Sequence, residues 1–272
     1  MDNKKTPLNE IKGMASTNEI SAIVQPRIHS SNKAKLEDAV PLRTPFSVHI
    51  DVCSYCNFKC SFCFQADVIG KKEKDFPHGM MKMELFKKTV DDLKEFPDKI
   101  RKIKIGNHGE PTMHPDLPKH IEYARKSGVA DIIEIFTNGS KLNPKLNREL
   151  VDAGLQRINI SLEGLSSERY LKVAKAKIIW EDFVENIKDL YEYSRTKGDL
   201  VIYVKVVNNA SELNGKTVFS LSDEEKDYFY KTFGNIADEI YIEKIVPHLA
   251  ETQEDKQNAL DYTVMYDQET VK

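Results

Sequence analysis

All four cysteines of the 272-residue chain lie in one short stretch, at Cys53, Cys56, Cys60 and Cys63. The last three have the spacing C-x3-C-x2-C, which allows three thiolates on one loop to bind a single metal cluster. Thiolates are the usual protein ligands of iron–sulfur clusters, and a [4Fe–4S] cluster contains four irons. Three thiolates therefore leave one iron without a protein ligand, and an open metal position is where a catalytic site binds its substrate or cofactor.

The fourth cysteine, Cys53, allows other kinds of metal site as alternatives. Four thiolates would ligate all four irons and give an electron-transfer cluster with no vacant position. A zinc site is a further alternative, but zinc ribbons usually separate two C-x2-C pairs by about 15–20 residues, whereas three residues separate Cys56 from Cys60. Disulfide bonds are typical of small secreted domains, and a chain of this length builds its own core. The spacing therefore favours an iron–sulfur cluster, with Cys53 as either a fourth ligand or a spare residue.

The rest of the chain alternates between strand and helix patterns. Val48, Ile50 and Val52 alternate with polar residues, which predicts a strand that leads directly into the cysteines. The six predicted strands cover residues 46–52, 100–106, 132–136, 158–162, 200–207 and 240–246, and helical patterns between them cover about 85–96, 116–126, 144–151, 180–195 and 223–233. This alternation predicts an α/β fold of right-handed parallel βα units. Six strands are fewer than the eight of a closed barrel.

Composition divides the chain into three parts. Residues 1–44 are polar and mixed in charge and predict an N-terminal extension, residues 45–250 form the predicted α/β domain, and residues 251–272 predict a C-terminal helix or tail. The net charge of −3 gives no support for nucleic-acid binding, and the apolar runs are too short to predict a membrane span. The first residues lack the apolar core of a secretory signal, so we expect a cytoplasmic protein.

Polar side chains near the strand ends are candidates for binding, because ligands of parallel α/β folds collect at the C-terminal ends of the strands. Ser161 and Glu163 end the fourth predicted strand and, being two residues apart, share one face. Lys205 and Asn208 end the fifth strand and are candidates to hold a substrate, with a solvated strand end as the open alternative. Further interior-facing candidates are His49, Asp51 and Glu243.

The cysteine spacing and the strand–helix pattern together resemble the radical S-adenosylmethionine (SAM) superfamily over about residues 44–246. The resemblance implies a partial (β/α)6 barrel, a [4Fe–4S] cluster held by Cys56, Cys60 and Cys63, and SAM bound to the open iron through its amino and carboxylate groups. In that family, one electron from the reduced cluster cleaves SAM to methionine and a 5′-deoxyadenosyl radical. The radical then removes a hydrogen atom from a substrate.

Several residues match positions that contact SAM in this family. Phe62, directly before the last cysteine of the motif, corresponds to an aromatic residue near the adenine. The sequence GNHGEP is similar to the family's G-G-E-P motif, which implies that Gly109, Glu110 and Pro111 contact the SAM ammonium. Glycine allows a backbone to approach a ligand closely, and His108 stands where the motif usually has its first glycine.

Two later strand ends also match SAM-binding positions. Asn138 lies in a loop that the family uses near SAM, although Asn-Gly is equally a common turn dipeptide. Ser161 and Glu163 match a segment whose polar side chains reach the ribose and the methionine carboxylate of SAM. Hydroxyl and carboxylate groups are suited to such contacts. The sequence assigns no catalytic residue.

The resemblance also implies partners. The cluster of such an enzyme needs a very low reduction potential, which implies a flavodoxin- or ferredoxin-like electron donor. The residues around Met83 and after Ser161 resemble a branch that often carries a C-terminal auxiliary-cluster (SPASM-type) module and modifies peptides, sugars and other small molecules. The sequence does not select among these substrates or predict an oligomeric state. No cysteine follows Cys63, which leaves two alternatives, a truncated copy of a longer protein or an enzyme that works with one cluster.

Overall fold

Seven parallel strands form one open sheet in the computed structural model, which describes residues 20–27, 40–60, 63, 78–208 and 220–244. The strands are β1 (Ile23–Val24), β2 (Ser47–Ile50), β3 (Ile100–Ile105), β4 (Ala130–Thr137), β5 (Arg157–Leu162), β6 (Val201–Asn208) and β7 (Glu239–Lys244). Their order is β1-β7-β6-β5-β4-β3-β2, and every neighbouring pair is parallel. The predicted α/β class and partial barrel are confirmed.

Helices connect these strands in the way that parallel strands require. In the described residues they are α1 (Met83–Asp92), α2 (Leu117–Ser127), α3 (Pro144–Asp152), α4 (Ser167–Ala174), α5 (Trp180–Lys197) and α6 (Asp223–Phe233). Helix α3 begins after Asn143, whose side chain accepts hydrogen bonds from two backbone N–H groups of the first turn. None of the described helices combines the length and the apolar character needed to cross a membrane.

The two faces of the sheet differ in chemistry. Alternate residues such as Ile103, Ile133 and Ile158 are fully buried in one apolar cluster with helix residues such as Leu150. The residues between them point to the opposite face, because successive side chains of a strand alternate, and many of these, such as Lys104 and Glu134, are polar or charged. We call this opposite side the open face. The apolar face carries the core, and the open face is left for binding.

The sheet differs from the prediction at both edges. β1 lies in the stretch predicted as an extension, and it joins the sheet beside β7, where Ile23 N donates to Asp238 O at 2.8 Å and Gln25 N donates to Ile240 O at 3.2 Å. β2 ends at Ile50, two residues before the predicted end, and Cys53 pairs instead with Met80 in an antiparallel bridge. The chain leaves the sheet there and enters the cysteine loop.

Helix α4 is absent from the sequence-based prediction. It is only eight residues long, which gives the periodic pattern little length. Its start carries a recognisable signal, since the Ser166 side chain accepts a hydrogen bond from Arg169 N at 3.2 Å. The helix matters for the site because it packs Tyr170 edge-on against Phe58 of the cysteine loop, with ring centroids 5.8 Å apart.

Candidate functional site

Cys53 is buried and is held in place by hydrogen bonds of its own thiol and of the backbone on either side. It is 0% exposed, and its thiol donates to Tyr55 O at 3.6 Å. On either side, Met81 N donates to Val52 O and Ser54 N donates to Gly79 O. Burial is the main cause that raises the pKa of the Cys53 thiol, with a smaller contribution from the Glu110 carboxylate. Cys53 therefore behaves as a small buried residue with its own acceptor.

Cys56, Cys60 and Cys63 interact with one another. Burial raises the pKa of Cys56 to about 11, and the Cys63 thiol adds to the effect. Burial also raises the pKa of Cys60, to which Glu163, Cys63 and Cys56 contribute in that order. These shifts favour neutral thiols until a cation is bound, and a bound metal centre would remove the protons. The three thiols, and not Cys53, form the mutually interacting set.

The donor chemistry of this set fits an iron–sulfur cluster better than a single ion. Among the described residues, no three Cys, His, Asp or Glu side chains stand close enough together to hold one metal ion. A cubane cluster is larger than an ion and presents a separate iron to each thiolate. Cys60 and Cys63 are already linked through the backbone, since Cys63 N donates to Cys60 O at 3.0 Å.

Glu110 is buried beneath the cysteine loop. Its carboxylate is 1% exposed and accepts hydrogen bonds from Thr112 N at 3.0 Å, Thr137 Oγ1 at 2.6 Å and Asn138 N at 2.7 Å, and also from the Thr112 hydroxyl. Burial raises the pKa of Glu110, and these donors oppose the rise. The side chain therefore links the loops after β3 and β4. Its contact with a SAM ammonium remains a prediction.

Asn138 connects the loops after β3 and β4 to the cysteine loop. Its Nδ2 group donates to Asn57 Oδ1 at 2.9 Å and contacts Cys56 Sγ at 3.9 Å, and its Oδ1 atom accepts from Ser140 N at 3.0 Å. The Asn57 side chain in turn donates to Ser140 Oγ at 2.8 Å. Asn138, predicted from the loop after the third strand, thus lies directly against a predicted cluster ligand.

Gly109 and Pro111 fix the loop after β3 in place. A Cβ atom on Gly109 would lie 2.3 Å from Cys53 O and 2.9 Å from Ser54 Cα, so only glycine allows this approach. Pro111 is buried and begins a short 3-10 helix over Pro111–Met113. The sequence predicted that Gly109 lets the backbone approach a ligand. In the structure, Gly109 packs closely against the cysteine loop.

Ser161 lies on the open face of β5, while Glu163 lies one residue beyond the strand, where its carboxyl interacts with Cys60 and Lys205. That the two side chains share one face stays a prediction. Burial raises the pKa of Glu163 to about 7, which Lys205 and a hydrogen bond with Cys60 oppose. The Glu163 Oε2 atom is buried and has no hydrogen-bond partner in the described part of the chain. A buried oxygen without a partner is costly, and a ligand hydroxyl or amino group would satisfy it. Glu163 is therefore suited to hold a cofactor beside the cysteines.

The two predicted substrate residues differ in their contacts. Lys205 forms an ion pair with Glu243 on the open face. Asn208 accepts a hydrogen bond from Leu221 N at 2.7 Å, which anchors the approach to α6. The contact of each residue with a substrate stays a prediction. The Asn208 side chain, in addition, already holds the backbone of Leu221 in place.

Asp51 has a role that sequence reasoning left open. Its Oδ1 atom accepts from Asn107 N at 2.7 Å and His108 N at 3.1 Å, and its Oδ2 atom lies 2.7 Å from His108 Nδ1. Burial opposes ionisation, but these hydrogen bonds outweigh it and lower the pKa of Asp51. The sequence carried one signal of this pairing, which is that His108 stands where the family's G-G-E-P motif usually has its first glycine. Phe62, the predicted adenine contact, lies outside the described residues.

Two known proteins match about half of this chain in sequence. The chain is 30% identical over 151 residues to the tungsten-containing aldehyde ferredoxin oxidoreductase cofactor-modifying protein of Pyrococcus furiosus, covering 56% of this chain and 40% of that protein. It is 38% identical over 128 residues to a probable GTP 3',8-cyclase of Methanococcus maripaludis, covering 47% of this chain and 39% of the relative. The chain thus spans about two fifths of the length of these relatives.

Solved structures share the fold. Streptococcus suis SuiB bound to its precursor peptide SuiA has a TM-score of 0.57 with 16% identity, covering 86% of this chain and 48% of SuiB. At that identity the likeness concerns the fold alone. The model of the Radical SAM superfamily matches residues 50–213, which hold the cysteine motif, Glu110, Asn138, Ser161 and Glu163. Members of that superfamily use a [4Fe–4S] cluster and SAM. With a family match over more than half of its length, this chain belongs to the radical SAM superfamily.

Proposed function

We propose that this chain is a radical SAM enzyme, or the cluster-binding part of one, that cleaves SAM reductively and abstracts a hydrogen atom from a substrate. Cys56, Cys60 and Cys63 would hold the [4Fe–4S] cluster, and SAM would occupy the remaining iron. The bound cluster and SAM supply a 5′-deoxyadenosyl radical. The protein positions both groups and excludes water and oxygen from the radical.

One observation carries this proposal. Cys53 is fully buried and its thiol donates to Tyr55 O, whereas Cys56, Cys60 and Cys63 lie on one loop in which Cys63 N donates to Cys60 O. A four-thiolate electron carrier, the alternative from the sequence, would need the Cys53 thiol to leave Tyr55 O and turn out of its buried position. Three ligands and an open iron are the arrangement that SAM binding requires.

The SAM contacts follow from the arrangement around the cysteines. Glu163 offers a buried oxygen without a partner among the described residues, and the spacing of two residues would put Ser161 on the same face. We assign this pair to the ribose hydroxyls and the methionine carboxylate of SAM. Asn138 positions Cys56, and Glu110 and Gly109 position the loop whose backbone would meet the SAM ammonium. Phe62 and Pro111 complete the proposed set.

Partners and substrate are assigned by chemistry. A flavodoxin- or ferredoxin-like protein would supply the electron, because the cluster works at a very low potential. The substrate would be a small molecule, a sugar or a peptide. Named relatives act on a guanine nucleotide or modify a cofactor, and SuiB binds a peptide. Residues 45–250 would form the catalytic domain, and the chemistry suits the reducing cytoplasm.

Anaerobic reconstitution tests the proposal. We expect brown protein with about four irons per chain, formation of 5′-deoxyadenosine from SAM under strong reductant, and a change in the electron paramagnetic resonance spectrum of the reduced cluster when SAM is added. Colourless zinc-loaded protein, or a cluster whose spectrum ignores SAM, would contradict it.

A further inference from the structure

The open face carries a row of charged side chains below the cysteine site. Register pairs His49 with Lys104, Lys104 with Glu134, and Glu134 with Arg157, across β2, β3, β4 and β5. These residues share one face because they are directly opposite each other in the sheet. The row therefore forms a continuous charged floor between the strands that lead to the cysteine site.

Part of this charge is already neutralised. The Arg157 guanidinium forms a two-pronged pair with Glu239, with Nη1–Oε1 and Nη2–Oε2 distances of 3.0 and 2.6 Å. Paired geometry of this kind satisfies both partners. Asp51, at the end of β2, is engaged by the backbone of Asn107 and by His108. The Glu239 carboxylate is therefore taken up by Arg157, while Asp51 keeps its charge at the end of β2, where it acts on His49.

Three other cations then face one carboxylate. Lys102 and Lys104 place their ammonium groups 3.6 and 4.0 Å from the Glu134 oxygens. Arg27 holds its guanidinium over the Phe136 ring, 5.0 Å from the centroid. Phe136 follows Glu134 by two residues on the same face of β4. The local balance is three positive charges against one negative charge.

The lysines are poorly compensated. Neither ammonium donates a hydrogen bond to an acceptor within the described ranges, and the Lys104 side chain is 18% exposed. Burial lowers the pKa of Lys104, Arg27 and Lys102 lower it further, and Glu134 opposes the change. Excess positive charge in a half-buried position is unfavourable unless an anion is bound there.

We propose that Lys102, Lys104 and Arg27 form an anion site that holds a phosphate or carboxylate group of the substrate. This inference rests on the proposed function and names the substrate class of the same site. Arg157 and Ser161 are four residues apart on β5, a rise of about 13 Å. The substrate is therefore an elongated small molecule whose anionic end lies on the floor while its other end reaches the level of Ser161. Lysine and arginine are the residues that bind phosphate and carboxylate oxygens most strongly.

The test uses reconstituted wild-type protein saturated with SAM, so that sites for the SAM carboxylate are filled. Inorganic pyrophosphate and citrate are titrated separately by calorimetry at fixed ionic strength, and the tighter of the two identifies the anionic group. Lys104→Gln is compared with Lys126→Gln, a change on the outer surface of α2 where the lysine pairs with Glu122. We expect about tenfold weaker anion binding in Lys104→Gln alone, which corresponds to one charge-assisted hydrogen bond.

A purely structural role for Lys104 predicts a different result for the Lys104→Gln variant. If the lysine mainly pairs with Glu134, Lys104→Gln lowers the free energy of unfolding and leaves anion affinity equal to that of Lys126→Gln. That result, or wild-type protein that binds neither anion, overturns the proposal. Wild-type protein that cleaves SAM but binds no anion contradicts the anion site alone. Protein that binds pyrophosphate but does not cleave SAM contradicts the proposed function alone.

Discussion

The buried carboxylate of Glu110 accepts a hydrogen bond from the backbone N–H of Asn138 at 2.7 Å. Asn138 in turn contacts Cys56 and Asn57 through its side-chain amide. Two strand-end loops and one cluster ligand are thus connected through one carboxylate that the solvent does not reach. The position of Cys56 therefore depends on Glu110, although the described hydrogen bonds of the Glu110 carboxylate involve none of the thiols.

Replacing Glu110 tests this connection. Glu110→Ala leaves buried donors without an acceptor, and we expect the free energy of unfolding of the cluster-free protein to fall by about 2–4 kcal/mol. SAM affinity should fall about ten- to hundredfold in the reconstituted variant. Chemical denaturation and SAM titration measure the two effects. Glu110→Gln keeps an acceptor oxygen and should lose less stability. Unchanged stability in Glu110→Ala would show that the carboxylate does not hold the loops.

Cys53 is distinguished from the ligand cysteines by replacement with serine. Cys53→Ser retains a donor for Tyr55 O, so we expect the cluster, SAM binding and 5′-deoxyadenosine formation to survive. Serine at Cys56, Cys60 or Cys63 should abolish all three, because each removes one thiolate ligand. Iron content and product formation are measured under anaerobic conditions. Loss of the cluster in Cys53→Ser would instead establish four-thiolate ligation.

Gly109 is tested against a second glycine near the same loop. In Gly109→Ala the new methyl group would meet Cys53 O and Ser54 Cα, which are backbone atoms with little freedom to move. We expect a lower melting temperature and a lower iron content after reconstitution. Gly79→Ala is the matched control, since a Cβ atom there has nothing within 4 Å. Equal iron content in the two variants would contradict the close packing of the loops.

The pairing of Asp51 with His108 should be visible in the pH dependence of stability. Asp51→Asn is expected to lower the free energy of unfolding by about 1–2 kcal/mol at neutral pH. The pKa of Asp51 lies below its ordinary value of 3.8, so the wild-type advantage is fully present above pH 3.8 and is lost as the pH falls through the lower pKa of the folded protein. Denaturation curves of both proteins from pH 7 to pH 3 measure the difference. A difference that already shrinks well above pH 3.8 would contradict the assignment of this stability to the Asp51 carboxylate.

The sequence by itself determined the class of the fold and predicted the ligands of the cluster. Period-two and helical patterns are local, since they depend on which face of one element is buried. They predicted six of the described strands, including the one that leads into Cys53. The spacing of Cys56, Cys60 and Cys63 is equally local, because a single loop carries all three. Such features need no knowledge of distant residues.

Tertiary structure decided how the candidate side chains are used. Glu110 and Glu163 are both acids that follow a strand, yet four donors meet the first and the second keeps a buried oxygen without a partner in the described residues. Cys53 is fully buried and donates to Tyr55 O, whereas Cys56 is half-buried and is contacted by Asn138. The short strand β1 joins β7 across more than two hundred residues of chain. Each outcome depends on contacts between segments far apart in sequence, where hydrogen-bond partners and burial are set by the folded sheet and not by the neighbouring residues.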